Sequence, residues 1–266
     1  MPAAAFADAG IRYERDGAVA RVTIDRPGVL NALNLAAHRA LGRAWDHVRD
    51  DAEVRVAVLT GAGSRAFSAG ADMKDPGEAS GLAYLGQALP LGAGNLSLRR
   101  DLLKPVIAAV NGLALGGGFE LALACDLIVA ADHAEFGFPE PRVGRMAMDG
   151  GIAMLARQIP FKVAMGLLLT GRRIGAREAL AAGVVNEVVP AADLRAAADR
   201  WAADVLACAP LAVEATKQLA TAALDLPLPI AARWFPRRVL DALGSEDGDE
   251  GVRAFREKRA PRWSGR

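Results

Sequence analysis

Three consecutive glycines, Gly116-Gly117-Gly118, stand between the apolar run Pro105-Val106-Ile107-Ala108-Ala109-Val110 and a helix-like stretch from Phe119 to Cys125. A helix start stripped of side chains leaves its first N–H groups free at the positive end of the helix dipole, which makes an anion site. The anion need not be a phosphate. An enolate or oxyanion that exists only during a reaction would be stabilised there by about 3 kcal/mol per well-aimed donor. Tight packing of a helix on a strand explains one glycine comfortably and three in a row poorly. Glu120 falls in the first turn of this helix, where the dipole favours an acid whatever its role. Glu140, followed by Pro141, reads on its own as a loop carboxylate.

A second glycine-rich stretch, Thr60 to Lys74, follows the apolar run Val54 to Leu59. Gly61-Ala62-Gly63-Ser64-Arg65-Ala66 matches a relaxed dinucleotide-binding fingerprint, so a Rossmann dehydrogenase is one reading. Against it, Phe67-Ser68-Ala69-Gly70 interrupts the helix that should receive a pyrophosphate, and no strand ends in an acid at the proper distance. The two tyrosines, Tyr13 and Tyr84, also lack a lysine four residues on.

Other chemistries find little support. His38 and His47 lie in an early helical segment and His133 in a polar turn, with no ligand cluster around them, so no metal is expected. There is no Gly-x-Ser-x-Gly elbow, and Asp126 reads as a cap or a backbone acceptor. Cys125 and Cys208 sit in Ala/Leu surroundings as two inert core residues of a reducing compartment. With 32 basic against 31 acidic residues the net charge is +1, which argues against a nucleic-acid surface. No long uninterrupted apolar stretch and no leader pattern is present, so a cytoplasmic protein with no membrane partner is expected.

The elements that must position these residues follow from periodicity. Ile11 to Asp25 alternates as two strands ending at Arg26-Pro27-Gly28, and a helix opens at Asn34 with Leu35, Leu41, Ala44, Trp45 and Val48 at helical spacing. Strand, glycine turn, helix and strand then recur, which implies an α/β core over residues 1–200. Beyond it, residues 201–266 read as almost wholly helical. That tail carries Trp201, Trp234, Phe235, Phe255 and Trp263, more aromatic surface than a simple extension would expose, so contact with another subunit is expected. Trp234 and Phe235 read first as amphipathic packing and second as a closure of an acyl pocket.

The two glycine stretches together resemble the crotonase (enoyl-CoA hydratase/isomerase) superfamily, whose members show Phe-x-x-Gly-x-Asp and then Asn-Gly-x-x-x-Gly-Gly-Gly. Here these read Phe67 to Asp72 and Asn111 to Gly118. The likeness extends to Arg26 to Asn34, to Leu169-Thr170-Gly171 with Ala179 to Val185, and to Glu250-Gly251 with Ala254 to Arg259. It spans nearly the whole chain. The resemblance implies a core of repeated ββα turns in a superhelix, followed by a helical trimerisation region and assembly as a homotrimer or homohexamer.

By the same resemblance, the backbone N–H groups of Ala71 and Gly117 polarise a thioester oxygen, Glu120 positions and activates a water, and Glu140 exchanges the α-proton. The implied activity is addition or removal of water across the 2,3 double bond of an enoyl-CoA. Double-bond isomerisation and carnitinyl-CoA-like dehydration stand beside it, and a non-catalytic assembly protein is a reading of another class. CoA is part of the substrate and no further cofactor is implied. Its holders correspond to Val29, Leu30, Ala69, Asp72, Met73, Lys74 and Gly116, with Phe255 and Lys258 from the end of the chain. From charge alone, Lys258 with Arg253, Arg256 and Arg259 is equally a solvated helix face. One stretch departs from the pattern: where many hydratases have Gly-x-x-Pro-Gly-x-Gly-Gly-Thr, this chain has Gly144 to Ile152, with Met146, Met148 and the acid Asp149. Asp149 stands as a candidate third carboxylate.

Overall fold

A computed structural model describes residues 9–75, 83 and 91–266, so Tyr84 lies outside the described residues. Strands β1 (Ile11–Asp16) and β2 (Val19–Ile24) form an antiparallel hairpin about Gly17. Helix α1 (Leu35–Asp50) starts where the Asn34 side chain accepts the Ala37 N–H at 3.0 Å, satisfying one of the orphan donors of the first turn. Its residues Ala37, Ala40, Leu41, Ala44, Trp45 and Val48 share one buried face, as their spacing requires. At the other end the Lys104 ammonium donates to the carbonyls of Val48 and Asp51 at 2.8 and 2.7 Å, a cation where the dipole is negative.

The chain then runs through β3 (Val56–Gly61), β4 (Ala66–Ser68), β5 (Val106–Val110), β6 (Leu113–Leu115) and α2 (Gly117–Leu123). After these come β7 (Leu127–Ala131), β8 (Glu135–Gly137), α3 (Gly151–Gln158), α4 (Phe161–Thr170), β9 (Arg173–Gly175), α5 (Ala176–Ala181) and β10 (Glu187–Val189). The last helices are α6 (Leu194–Leu206), α7 (Pro210–Ala223), α8 (Leu228–Ala231), α9 (Arg237–Leu243) and α10 (Glu246–Glu257).

One sheet has the order β1-β2-β3-β5-β7-β10, parallel from β2 onward, and the other the order β4-β6-β8-β9, with β8 and β9 antiparallel. Each of β3, β5 and β7 is therefore followed by a short strand that leaves for the second sheet. This is the repeated unit, and it carries the C-terminal ends of the long strands toward one region between the sheets.

Both faces of the larger sheet are covered, as parallel strands require. Val56, Val58, Ile107, Ala109, Val129 and Ala131 pack on Leu194, Ala197, Ala198 and Ala202 of α6. The alternate residues, among them Ala57, Leu59, Ala108 and Val110, join the main core with α1 and α2. Burying each Val or Leu contributes about 1.5–3 kcal/mol.

Several expectations are corrected. The two glycine stretches read as loops each hold a strand, β4 and β6, too short at three residues to show a period. Cys125 is a core residue but Cys208 is exposed, because it sits in the turn between α6 and α7, its Sγ on the Asp204 carbonyl. Trp234 and Phe235 are not packed in this chain's core and are 37% and 59% exposed. Apart from these corrections, residues 200 and 201 lie within α6, where Trp201 and Val205 pack against the core formed by the larger sheet.

Candidate active site

The first site element is the short run after β4. Leu33 and Ala71 form a parallel bridge in which the Leu33 N–H donates to the Gly70 carbonyl at 2.7 Å and the Asp72 N–H to the Leu33 carbonyl at 3.1 Å. In a parallel bridge these bonds leave the N–H of the middle residue, Ala71, facing the opposite side. On that side lies the start of α2. A Cβ on Gly70 would stand 2.9 Å from the Gly117 nitrogen, and one on Gly117 would stand 3.8 Å from the Ala71 nitrogen. The two amides are thus neighbours. As the first residue of α2, Gly117 has no helical acceptor for its N–H.

The loop is held by two side-chain amides. Asn111 accepts the Gly61 N–H at 3.1 Å and donates to the carbonyls of Gly63 and Ala66 at 2.7 and 3.1 Å. Asn31 donates to the carbonyls of Ala62 and Ala66 at 3.0 and 2.7 Å and accepts the Arg26 N–H at 2.9 Å. Arg26 reaches on to the Ala32 carbonyl and, at 3.0 Å, to the carboxylate of Asp72. Sequence reading did not single out these ties. The available signal was a pair of asparagines in otherwise apolar or turn-forming surroundings.

Both glutamates face the glycines. A Cβ on Gly117 would stand 3.8 Å from Glu120 Oε2, and one on Gly116 would stand 2.7 Å from Glu140 Oε1. Gly116, at φ 55° and against that carboxylate, is a position only glycine fills without strain. Glu120 is 3% exposed, and its Oε1 accepts the Gly151 N–H at 2.8 Å. Burial pushes its carboxyl up to about 8; the negative charges of Asp149 and Glu140 add to the rise, while the N–H groups of Gly151 and Asp149 oppose it. Burial likewise raises Glu140, whose Oε2 is buried without a hydrogen-bond partner among the described residues. A carboxyl held above the usual carboxylate range can keep its proton and donate it, and can take it back once it has given it up.

The remaining candidates divide. Leu30, with φ 54°, accepts the Ala69 N–H at 3.0 Å, which brings the Val29–Leu30 turn onto the loop. Val29, Met73 and Lys74 are exposed beside it. Asp72 is buried and committed to Arg26, so what it can offer a ligand is its backbone. Phe255, 86% exposed, and Lys258 stand at the end of α10. Among the described residues no hydrogen bond or ion pair joins them to Ala69–Lys74. Asp126 accepts the Val106 N–H and the Lys217 ammonium, each at 2.7 Å, and is an internal tie. Gly151, the donor to Glu120, carried no sequence signal beyond its place in the departing stretch.

The sequence profile of the family described as enoyl-CoA hydratase/isomerase matches residues 14–266. A carnitinyl-CoA dehydratase of Salmonella typhi is 43% identical over 260 residues, covering 96% of this chain and 98% of the relative. Among solved structures, an enoyl-CoA hydratase from Mycobacterium tuberculosis H37Rv superposes with a TM-score of 0.89 at 37% identity, covering 97% of this chain and all of that one. An enoyl-CoA hydratase from Bacillus anthracis does so with a TM-score of 0.90 at 33% identity and the same coverage. The protein therefore belongs to the enoyl-CoA hydratase/isomerase family, is built on the crotonase fold, and is an enzyme of the hydratase/dehydratase type.

Proposed function

We propose that the protein interconverts a 3-hydroxyacyl-CoA and the corresponding 2-enoyl-CoA, with Ala71 and Gly117 as oxyanion donors and Glu120 and Glu140 as the proton-transfer pair. In the elimination direction the Glu140 carboxylate removes the α-proton and the electron pair moves onto the thioester oxygen. The N–H groups of Ala71 and Gly117 receive that negative charge. The enolate then re-forms the carbonyl and expels the β-hydroxyl, which takes the Glu120 proton and leaves as water. Hydration is the same path reversed, with Glu120 as base toward water and Glu140 as acid toward the α-carbon. Both directions need one proton shared by the pair. No metal, nicotinamide or covalent nucleophile enters the scheme, because the amides carry the charge that develops.

One observation carries the proposal: two carboxyls, both raised by burial, flank adjacent glycines whose amide neighbours that of Ala71. The relatives named carnitinyl-CoA dehydratase support water elimination as the physiological sense, and the exposed Met146 and Met148 with Asp149 mark where an acyl group would be distinguished. The CoA would lie along Val29, Leu30, Ala69, Met73 and Lys74, with Phe255 and Lys258 as further contacts.

The same proposal assigns the helices that follow α6 within residues 201–266 to self-association, supported by the exposed Leu224, Leu228, Ile230, Phe235, Leu240 and Leu243. The test of the chemistry is loss of enoyl absorbance with crotonyl-CoA and longer enoyl-CoAs. Wild type should turn over, and Glu120→Ala and Glu140→Ala should each fall at least a hundredfold, within the usual range for a general acid or base. Equal rates in wild type and both variants overturn the assignment.

A further inference from the structure

Glu120 is oriented by a main-chain donor from outside its own helix, the Gly151 N–H. That donor follows Gly150, which has a φ of 112°, a conformation in which glycine turns at little cost. A donor on so permissive a hinge points where its neighbours hold it.

The neighbour here is residues 92–97. The Ser97 hydroxyl donates to the Asp149 carbonyl, while the Ala93 N–H donates to Ser97 Oγ at 2.9 Å and lies 3.5 Å from the same carbonyl. The fit is close: a Cβ on Gly92 would stand 2.8 Å from the Asp149 oxygen, and one on Gly150 would stand 3.4 Å from Ser97 Oγ. The segment is itself fastened to α1. The Gly94 N–H donates to His38 Nδ1 at 3.1 Å, Trp45 Nε1 to the Gly94 carbonyl at 2.9 Å, and Asn95 Nδ2 to the His38 carbonyl at 2.6 Å. A continuous set of contacts thus runs from α1 through Ser97 to the peptide that precedes the Glu120 donor.

We propose that Ser97 is a positioning residue for the proton transfer to and from the substrate's oxygen: by fixing the Asp149 carbonyl it keeps the Gly151 N–H on Glu120 Oε1. The proposal rests on the role given above to Glu120. Ser97 itself touches no reacting atom. The charged groups that face Glu120 are Glu140 and Asp149, and both favour its protonated form. The Gly151 N–H is a counterweight to them, so releasing it moves the Glu120 titration upward.

The test follows the Glu120 carboxyl by carbon-13 NMR in protein labelled at glutamate, the resonance being identified by its loss in Glu120→Gln. In Ser97→Ala the titration should rise by about one pH unit. The alkaline limb of kcat/KM for enoyl-CoA hydration should rise with it, and kcat should fall about tenfold, equivalent to one such unit of free energy, with KM unchanged. Ser97→Thr, which keeps the hydroxyl, should restore the wild-type titration. A Glu120 titration that stays in place in Ser97→Ala, with only the melting temperature lowered, overturns the positioning role and leaves the catalytic reading standing if Glu120→Gln is inactive. Full activity in Glu120→Gln overturns both.

Discussion

At the scale of single residues, the proposed chemistry turns on where one proton sits. Glu120 is raised by burial from an ordinary value near 4.5 to about 8, and Glu140 is raised in the same direction. In the proposed mechanism, activity in either direction needs the pair to hold a single proton, so the pH dependence of kcat/KM should be bell-shaped with its alkaline limb near pH 8. A rate constant level from pH 6 to pH 10 would contradict that. The same shift has a consequence for folding. A carboxyl with a higher pKa folded than unfolded binds its proton more tightly in the native state. Its favourable contribution is therefore complete below about 4.5 and is lost as the pH rises toward 8. Glu120→Gln, which can still accept the Gly151 N–H, should be more stable than wild type by roughly 2–4 kcal/mol above pH 8 and about equal to it below pH 4.5. Paired melting curves at pH 5 and pH 9 check this. A gain that is larger at pH 5 would show the sign to be wrong.

At the scale of elements, the site is a meeting of a strand end with a helix start, and its tolerances are those of backbone against backbone. In Gly70→Ala the new Cβ would lie 2.8 Å from the Leu115 carbonyl oxygen and 2.9 Å from the Gly117 nitrogen at a φ of 91°. It should lose roughly 1–3 kcal/mol of stability and, if Ala71 and Gly117 are the oxyanion donors proposed, most of its activity, because the clash pushes their amides apart. Arg26 and Asp72 tie the first turn to this strand as a largely buried ion pair. Removing the cation alone strands a buried carboxylate, so Arg26→Met should cost about 3 kcal/mol. The double variant Arg26→Met with Asp72→Leu should recover part of that loss in urea unfolding. Its failure to recover any would mean that the Arg26 bond to the Ala32 carbonyl, and not the ion pair, carries the effect. His38, half-buried and accepting the Gly94 N–H, is depressed by desolvation to about 4. Its contribution is present above its ordinary 6.5 and drains away as the pH falls toward 4, which makes the latch of residues 92–97 on α1 acid-sensitive.

At the scale of the whole molecule, the sheet-bound core and the late helices have different surfaces. α6 is committed to the sheet, and Lys217 of α7 holds Asp126 at the foot of β7. The chain's end is clasped, with the Arg266 carbonyl accepting the Glu246 N–H at 2.7 Å and Trp263 Nε1 donating to the Ala207 carbonyl at 2.8 Å. Yet Leu228, Leu243 and Phe255 remain more than three quarters exposed. Surface of this kind is covered in solution if copies associate, and light scattering should then give a whole multiple of the chain mass. Phe235→Glu with Leu243→Glu should reduce it to one copy with the fold retained by circular dichroism. A wild-type protein that scatters as a single chain refutes the association. Among the described residues no helix is long and apolar enough to cross a membrane.

The residues fix locally what depends on neighbours in the chain. The helix of α1 is legible in the Asn34 cap and its apolar stripe, and the buried strands in their unbroken apolar runs. The expectation of an anion site at the glycines comes from free N–H groups at a helix start; the fold commits the Gly116 N–H to the Gly137 carbonyl at 3.0 Å. Resemblance added the partners Ala71, Glu120 and Glu140. Only the tertiary structure decided that β4 and β6 exist, since three-residue strands are formed by pairing and not by propensity. It also decided that Asp72 turns to Arg26, that Cys208 faces solvent, that the Gly151 N–H meets Glu120 and that Ser97 meets the Asp149 carbonyl. Each of these depends on which distant backbone group lies within hydrogen-bond reach. Distance along the chain is silent on that: Ser97 meets the Asp149 carbonyl, and Gly151 meets Glu120, only because the fold brings these segments together.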